Sequence, residues 1–334
     1  MDAVPRTRCI STDDSMEGAT ENDQRGSRLF TLPAEIRASI FELALTSYDD
    51  PAKPYRADRK YYRPGYHHHQ KIDCSLLLTC RRTYREARLL PISVNEHVFW
   101  LFNGPWKFIP GNNRNTARWT YWYVNLTEDQ KSAVQTVHIF TQQCYLEDLL
   151  VTDAWRFSFR TSCLHLTLRH ADWWSWESPV GSSDCLGICP WRPHRTSYQE
   201  MLFEPLEPSL AYIRDRMGER TWGGAVCKIR GLRKLVMEFE IDEKKKSQLQ
   251  VVAERAKHWI FPLAGEEFVL EWTGQLEESS WEGVRDLRDD YHFMREQPLQ
   301  ANLPRRKYYV VKMTWRAKTA ARGGLFRTTA MSGA

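Results

Sequence analysis

The first strong periodic signal along the chain is SRLFTLPAEIRASIFELAL, residues 27–45. Ile36, Ile40, Leu43 and Ala44 recur at helical spacing and Phe41 widens the apolar stripe, which predicts an amphipathic helix. Pro33 suits its first position, where a missing N–H costs nothing, and Glu35 favours its positive end. A polar insertion rich in Tyr and basic residues follows over 46–73, and Pro51, Pro54 and Pro64 argue against continuous helix there. SLLLTCRRTYREARLL, residues 75–90, predicts a second helix with Leu76, Leu77, Cys80, Tyr84 and Ala87 on one face. Arg81, Arg82, Arg85 and Arg88 fall mostly on the other face, and Pro91 stops the helix.

Beyond Pro91 the period changes. Runs dense in β-branched and aromatic residues at 97–102, 120–126, 136–141, 164–170, 232–241, 266–274 and 307–315 predict strands. Leu235, Met237, Phe239 and Ile241 alternate, as do Tyr309, Val311, Met313 and Trp315, so each of those two strands has one apolar face. Residues 249–260 read as a helix with Leu249, Val252, Ala256, Trp259 and Ile260 on one side and Pro262 at its end; 145–157 and 199–217 also carry helical patterns. Strands alternating with helices point to a mixed α/β or α+β layer, and the strand spacing is too uneven for a clean repeat. The Pro-, Gly- and Ser-containing stretch 171–199 predicts a long loop carrying Trp173, Trp174, Trp176 and Trp191. Two readings stand for it: a recognition surface, or a cover folded back over the sheet.

The 334 residues suffice for one large domain or two modest ones, and 42% hydrophobic with 27% charged residues allows a globular core. No apolar run reaches the ~18 residues of a membrane span, and the opening MDAVPRTRCISTDD lacks the apolar core of a secretory signal. The expected location is therefore intracellular, cytoplasmic or nuclear, without membrane contact. Eight cysteines in such a chain are expected to be reduced thiols. The net charge of +5 is uneven. Residues 305–334 hold eight basic residues and no acid, and residues 53–88 hold ten against three acids. Tyr55, Tyr61, Tyr62 and Tyr66 interleave with the second group, as base-stacking platforms do, which keeps nucleic-acid association open beside an ordinary solvated face.

Candidate chemistry is sparse. Cys185, Cys189 and His194 have metal-ligand character, with His165 or His170 as a further donor, but no second paired motif accompanies them. His67, His68 and His69 are adjacent in a loop and are expected to be solvated. Phosphate-cradling loops, nucleophile elbows and H-E-x-x-H helices are all missing. Acid pairs such as Glu277–Glu278 and Asp289–Asp290 do not by themselves make a general acid and base. The expectation is a non-enzymatic protein with no cofactor and no metal.

The segment Leu32-Pro33-Ala34-Glu35-Ile36, continuing to Ile40 and Leu43, resembles the opening of an F-box. Together with TCRRTYREA at 79–87 it is similar to a large group of uncharacterised fungal proteins that pair an LPxEIRxxIxExAL helix with a TCRxxYxEA helix ahead of an α/β region. The likeness covers residues 29–102 well and the remainder loosely. It implies docking to the linker subunit of a cullin-type ubiquitin ligase through Leu32, Pro33, Glu35, Ile36 and Ile40, with the downstream region capturing a substrate. The alternative is that these residues pack internally against 75–90. The fold class expected is α+β: a tail at 1–27, an F-box-like helical segment at 28–95 interrupted at 46–73, a mixed α/β layered domain at 96–316 and a basic tail at 317–334.

Overall fold

Seven strands of one sheet receive most of the apolar runs read from the sequence. A computed structural model describes residues 24, 26–57, 59, 61–102, 104–105, 114–149, 159–218, 220–264, 267–284 and 305–319. Residues 1–23 of the tail expected at 1–27, Asp289–Asp290, and the basic residues Arg322 and Arg327 lie outside them, as does the stretch 150–157 of one expected helix.

The chain opens with helix α1 (Ala34–Leu45), followed by a two-stranded antiparallel ribbon, β1 (Tyr48–Pro54) and β2 (His68–Lys71). Helices α2 (Arg81–Ala87) and α3 (Leu90–Ser93) lead into the main sheet. Its strands are β3 (Glu96–Trp100), β4 (Thr136–Phe140), β5 (Cys163–Leu168), β6 (Lys234–Asp242), β7 (Ile260–Pro262), β8 (Phe268–Val284) and β9 (Arg305–Thr319). Their spatial order is β3-β4-β5-β6-β9-β8-β7, making this a mixed α/β architecture. The first four strands run parallel, and β9, β8 and β7 are each antiparallel to their neighbours.

Parallel neighbours need crossovers. Helices α4 (Arg114–Val124) and α5 (Glu128–Ala133) connect β3 to β4. The path from β5 to β6 carries α6 (Tyr198–Phe203), α7 (Leu210–Arg216) and α8 (Trp222–Cys227), while α9 (Lys246–Ala256) follows β6. Among the described residues no helix is long and apolar enough to cross a membrane.

Register places the alternating apolar residues in rows. Ile139 lies opposite Leu166, Leu166 opposite Met237, and Met237 opposite Met313. This face carries the principal core, covered by Leu249, Val252, Ala253 and Ala256 of α9 and by Trp222 and Trp259. Trp315 is fully buried in it and donates its indole N–H to the Trp259 carbonyl at 3.0 Å. The opposite face is different. Glu96, His138, His165, Thr167 and Glu238 occupy it, and the β1–β2 insertion lies across part of it through Arg63 and Tyr66.

Several expectations are corrected in detail. The stretch 120–126 is not a strand but the end of α4, because Trp119 and Tyr123, four residues apart, share a helical face and are both buried. Residues 75–90 do not form one helix. A 3-10 turn at Ser75–Leu78 ends before Cys80, whose extended backbone caps α2 while its sulfur accepts the Thr83 N–H at 3.5 Å. Pro91 then falls in the first turn of α3, where its missing N–H is harmless, instead of stopping a helix. The helix expected to reach Ile260 stops at Ala256, and Ile260 begins β7.

The tryptophan loop folds back. Trp173 and Trp191 are buried and Trp173 donates to the Glu240 carbonyl at 3.0 Å, whereas Trp174 stays partly exposed. Lys245 clamps the loop by donating to the carbonyls of Ser175 and Trp176, both at 2.8 Å. At Gly187 the loop backbone approaches Ser197 so closely that a Cβ would sit 2.6 Å from its carbonyl carbon, so only glycine fits.

Candidate functional site

The two N-terminal motifs interlock. Arg37 of α1 is buried and makes a two-pronged ion pair with Glu86 of α2, at 2.9 and 3.2 Å. Its remaining nitrogen donates to the Leu32 carbonyl at 2.5 Å, which fixes the Leu32–Pro33 turn before the helix. Arg82 adds a 3.1 Å bond to Glu86, and its guanidinium lies 4.3 Å over the Phe30 ring. Hydrogen bonds from Arg37, and then from Arg82, hold the Glu86 carboxyl below its usual range against the opposing effect of burial. Phe41 and Leu45 pack with Ala87 in a small separate core, and Asn95 ties its end by donating to the Leu45 carbonyl at 2.8 Å.

That packing turns α1 opposite to the stripe read from periodicity. Arg37, Phe41 and Leu45 face inward, while Ile36 is 50% exposed, Ile40 39% and Leu43 79%. Glu35 and Pro33 are exposed and Leu32 is half-buried. The five expected site residues therefore lie along one turn and one helix, at or near the surface. Leu78 of the 3-10 turn is also 77% exposed. Scattered exposed leucines are ordinary; three large apolar residues at i, i+4 and i+7 on one short helix form a continuous stripe.

The polar face of the sheet forms a second cluster that the sequence did not single out. Neighbouring strands put His138 opposite His165, with their rings stacked at 3.7 Å and 9°. Glu96, from β3, reaches both histidines: its Oε1 lies 3.6 Å from His138 Nδ1 and 3.5 Å from His165 Nδ1. His138 is fully buried, which lowers its pKa to about 4 and keeps the ring neutral at physiological pH. Burial and the Glu96 and Glu238 carboxylates push the Tyr66 phenol well above its ordinary value. Tyr66 thus donates its O–H to His138 Nδ1 at 2.7 Å, and the opposite nitrogen donates to Thr167 Oγ1 at 2.8 Å. Next to this group, Arg63 pairs with Glu238 and, at 3.3 Å, with Glu240.

Other candidates disperse. Cys189 is buried, which pushes its thiol up to about 12. Cys185 donates to the Ser182 carbonyl, and His194 is exposed beside Asp148 at 3.6 Å. His165 lies in the Glu96 cluster and His170 bonds Arg306 and the Asp242 N–H, so neither joins these cysteines. Within the described residues the seven cysteines are free thiols. Tyr55, Tyr61 and Tyr66 pack edge-on against other rings, including Trp100 and Phe140. Arg306, Lys307, Lys312 and Lys318 each face an acid within 4 Å. Comparison with family models, curated proteins and solved structures found no match to this chain.

Proposed function

We propose that this chain is a non-enzymatic protein-interaction module of the F-box type, a substrate adaptor that docks to the linker subunit of a ubiquitin ligase. The observation that carries the reading is the orientation of α1. The inward positions Arg37, Phe41 and Leu45 anchor the helix, which leaves Pro33, Ile36 and Ile40 exposed and Leu32 half-buried at the surface a partner would meet. Burial of two or three such side chains under a partner at ~1.5–3 kcal/mol each is of the size expected for an anchor region. The sheet, joined to α1 through α2 and α3, is then the platform for a second partner. Nucleic-acid association has less support, because Tyr55, Tyr61 and Tyr66 pack against other rings and the β9 cations Arg306, Lys307, Lys312 and Lys318 face acids.

Affinity capture of the tagged full-length chain tests this. The linker subunit is expected among the captured proteins and is expected to be lost with Leu32→Asp. Its absence from wild-type captures removes the adaptor reading.

A further inference from the structure

We propose that Glu96, His138 and His165 form a binding site for a divalent transition metal, zinc being the ion that suits it best. Among the described residues, this is the one group of three or more His, Cys, Asp or Glu side chains whose ligand atoms lie within 4.8 Å of one another. Two imidazoles and a carboxylate are the ligand types of three-protein-ligand zinc sites that leave a fourth position to solvent, and nitrogen donors disfavour calcium and magnesium. The carboxylate-to-imidazole separations of 3.5 and 3.6 Å match the ~3.4 Å edge of a tetrahedron with bonds of ~2.1 Å.

The supporting shell fits as well. His138 Nε2 is held by Thr167 Oγ1 at 2.8 Å, which leaves Nδ1 as the nitrogen with the free pair and points it toward Glu96. Such an outer hydrogen bond is the usual device for fixing a ligand's tautomer and ring orientation. The Tyr66 O–H bonds that lone pair, so an arriving ion would displace it at Nδ1. The donors come from three adjacent strands of a rigid sheet, the kind of scaffold that keeps a ligand set in place.

One element must move. The two rings stack in parallel, so their Nδ1 lone pairs run side by side, and a shared ion requires one ring to turn. His165 is the ring that turns: it is less buried than His138, and its Nε2 has no hydrogen-bond partner to hold it. Glu96 is partly exposed at the edge strand, which gives the ion a route from solvent.

The test uses the metal-stripped full chain, titrated with Zn²⁺ by calorimetry and with Co²⁺ by visible absorption. One Zn²⁺ per chain is expected, with Co²⁺ bands of tetrahedral intensity. Glu96→Gln and His165→Gln should each weaken binding by more than about tenfold. Both side chains reach solvent, so the variants should keep the wild-type near-ultraviolet circular dichroism. No stoichiometric binding by the wild type overturns the proposal. So does binding that survives both substitutions unchanged, which would place the ion at His67–His69 or at the free thiols.

Discussion

Arg63 is, with Tyr66, a residue through which the 46–73 insertion holds the sheet, and replacing it should be among the most damaging single changes in the chain. Its side chain is 5% exposed, pairs with Glu238 and Glu240, and lies 5.3 Å over the Phe140 ring. Glu240 is more buried still, and besides Arg63 its donors among the described residues are neutral: the Trp281 indole at 3.0 Å and the His170 N–H at 3.3 Å. Arg63→Met keeps the aliphatic volume and removes the charge, stranding a buried carboxylate; breaking a buried pair in this way costs about 3–5 kcal/mol. Burial already raises the Glu240 pKa against the opposing pull of Arg63, and without the arginine it rises further. A carboxyl whose folded-state pKa exceeds its unfolded value of about 4.3 contributes stability below that value and loses it as pH rises through the folded one. The deficit of the variant should therefore be smaller near pH 5 than near pH 8. Urea unfolding followed by tryptophan fluorescence at both pH values measures it. A deficit below about 1 kcal/mol, or one equal at pH 5 and pH 8, refutes the assignment of Arg63 as the cation that neutralises Glu240.

Two further outcomes follow from the packing and electrostatics. Burial raises the Glu147 pKa to about 7, so the stability it lends below pH 4.5 is lost as pH climbs through 7, a change of about 3 kcal/mol. In Glu147→Gln this component of the pH profile should vanish, and denaturation profiles from pH 4 to 8 that superimpose for the two proteins would count against it. Strand β9 pairs with β6 on one side and β8 on the other, and its Tyr309, Val311, Met313 and Trp315 lie in the core. At ~1.5–3 kcal/mol per side chain their loss rivals the whole stability of a domain. A chain ending before Arg305 should therefore be insoluble or show no cooperative melt in calorimetry, and a cooperatively melting 1–304 fragment would contradict this.

The sheet was legible where neighbouring residues carried the information. The alternation of Leu235 to Ile241 and of Tyr309 to Trp315 defined the buried face of β6 and β9, and register then set those rows side by side. It did not disclose that β9 lies inside the sheet, since strand order depends on pairings far apart in the chain. The inward face of α1 was not legible because an arginine in a helix normally points outward, and what turns Arg37 inward is Glu86, 49 positions away. Aromatic and β-branched content at 120–126 suggested a strand, yet burial of Trp119 and Tyr123 on one helical face outweighs so weak a propensity.

The Glu96–His138–His165 cluster had no local motif, its members being 42 and 27 residues apart. A signal was nonetheless present. Val137-His138-Ile139 and Leu164-His165-Leu166 each place a histidine between two apolar residues in an alternating strand. That pattern puts both imidazoles on the face opposite the main core, where aligned parallel strands make them neighbours.

The central claim, that α1 presents its outer face to a partner and is anchored by its inner one, is tested most directly at Ile36 and Ile40. The purified linker subunit is titrated by calorimetry onto the wild type, Ile36→Asp and Ile40→Asp, and each protein is also melted. Exposed positions tolerate such changes within about 0.5 kcal/mol, so melting temperatures should agree within about 2 °C. Affinity should fall more than about tenfold, because each aspartate becomes an unpaired charge in an apolar contact. Unchanged affinity, or a melting temperature lowered by more than about 5 °C in both variants, would contradict the claim and show that these side chains serve the fold and not a partner.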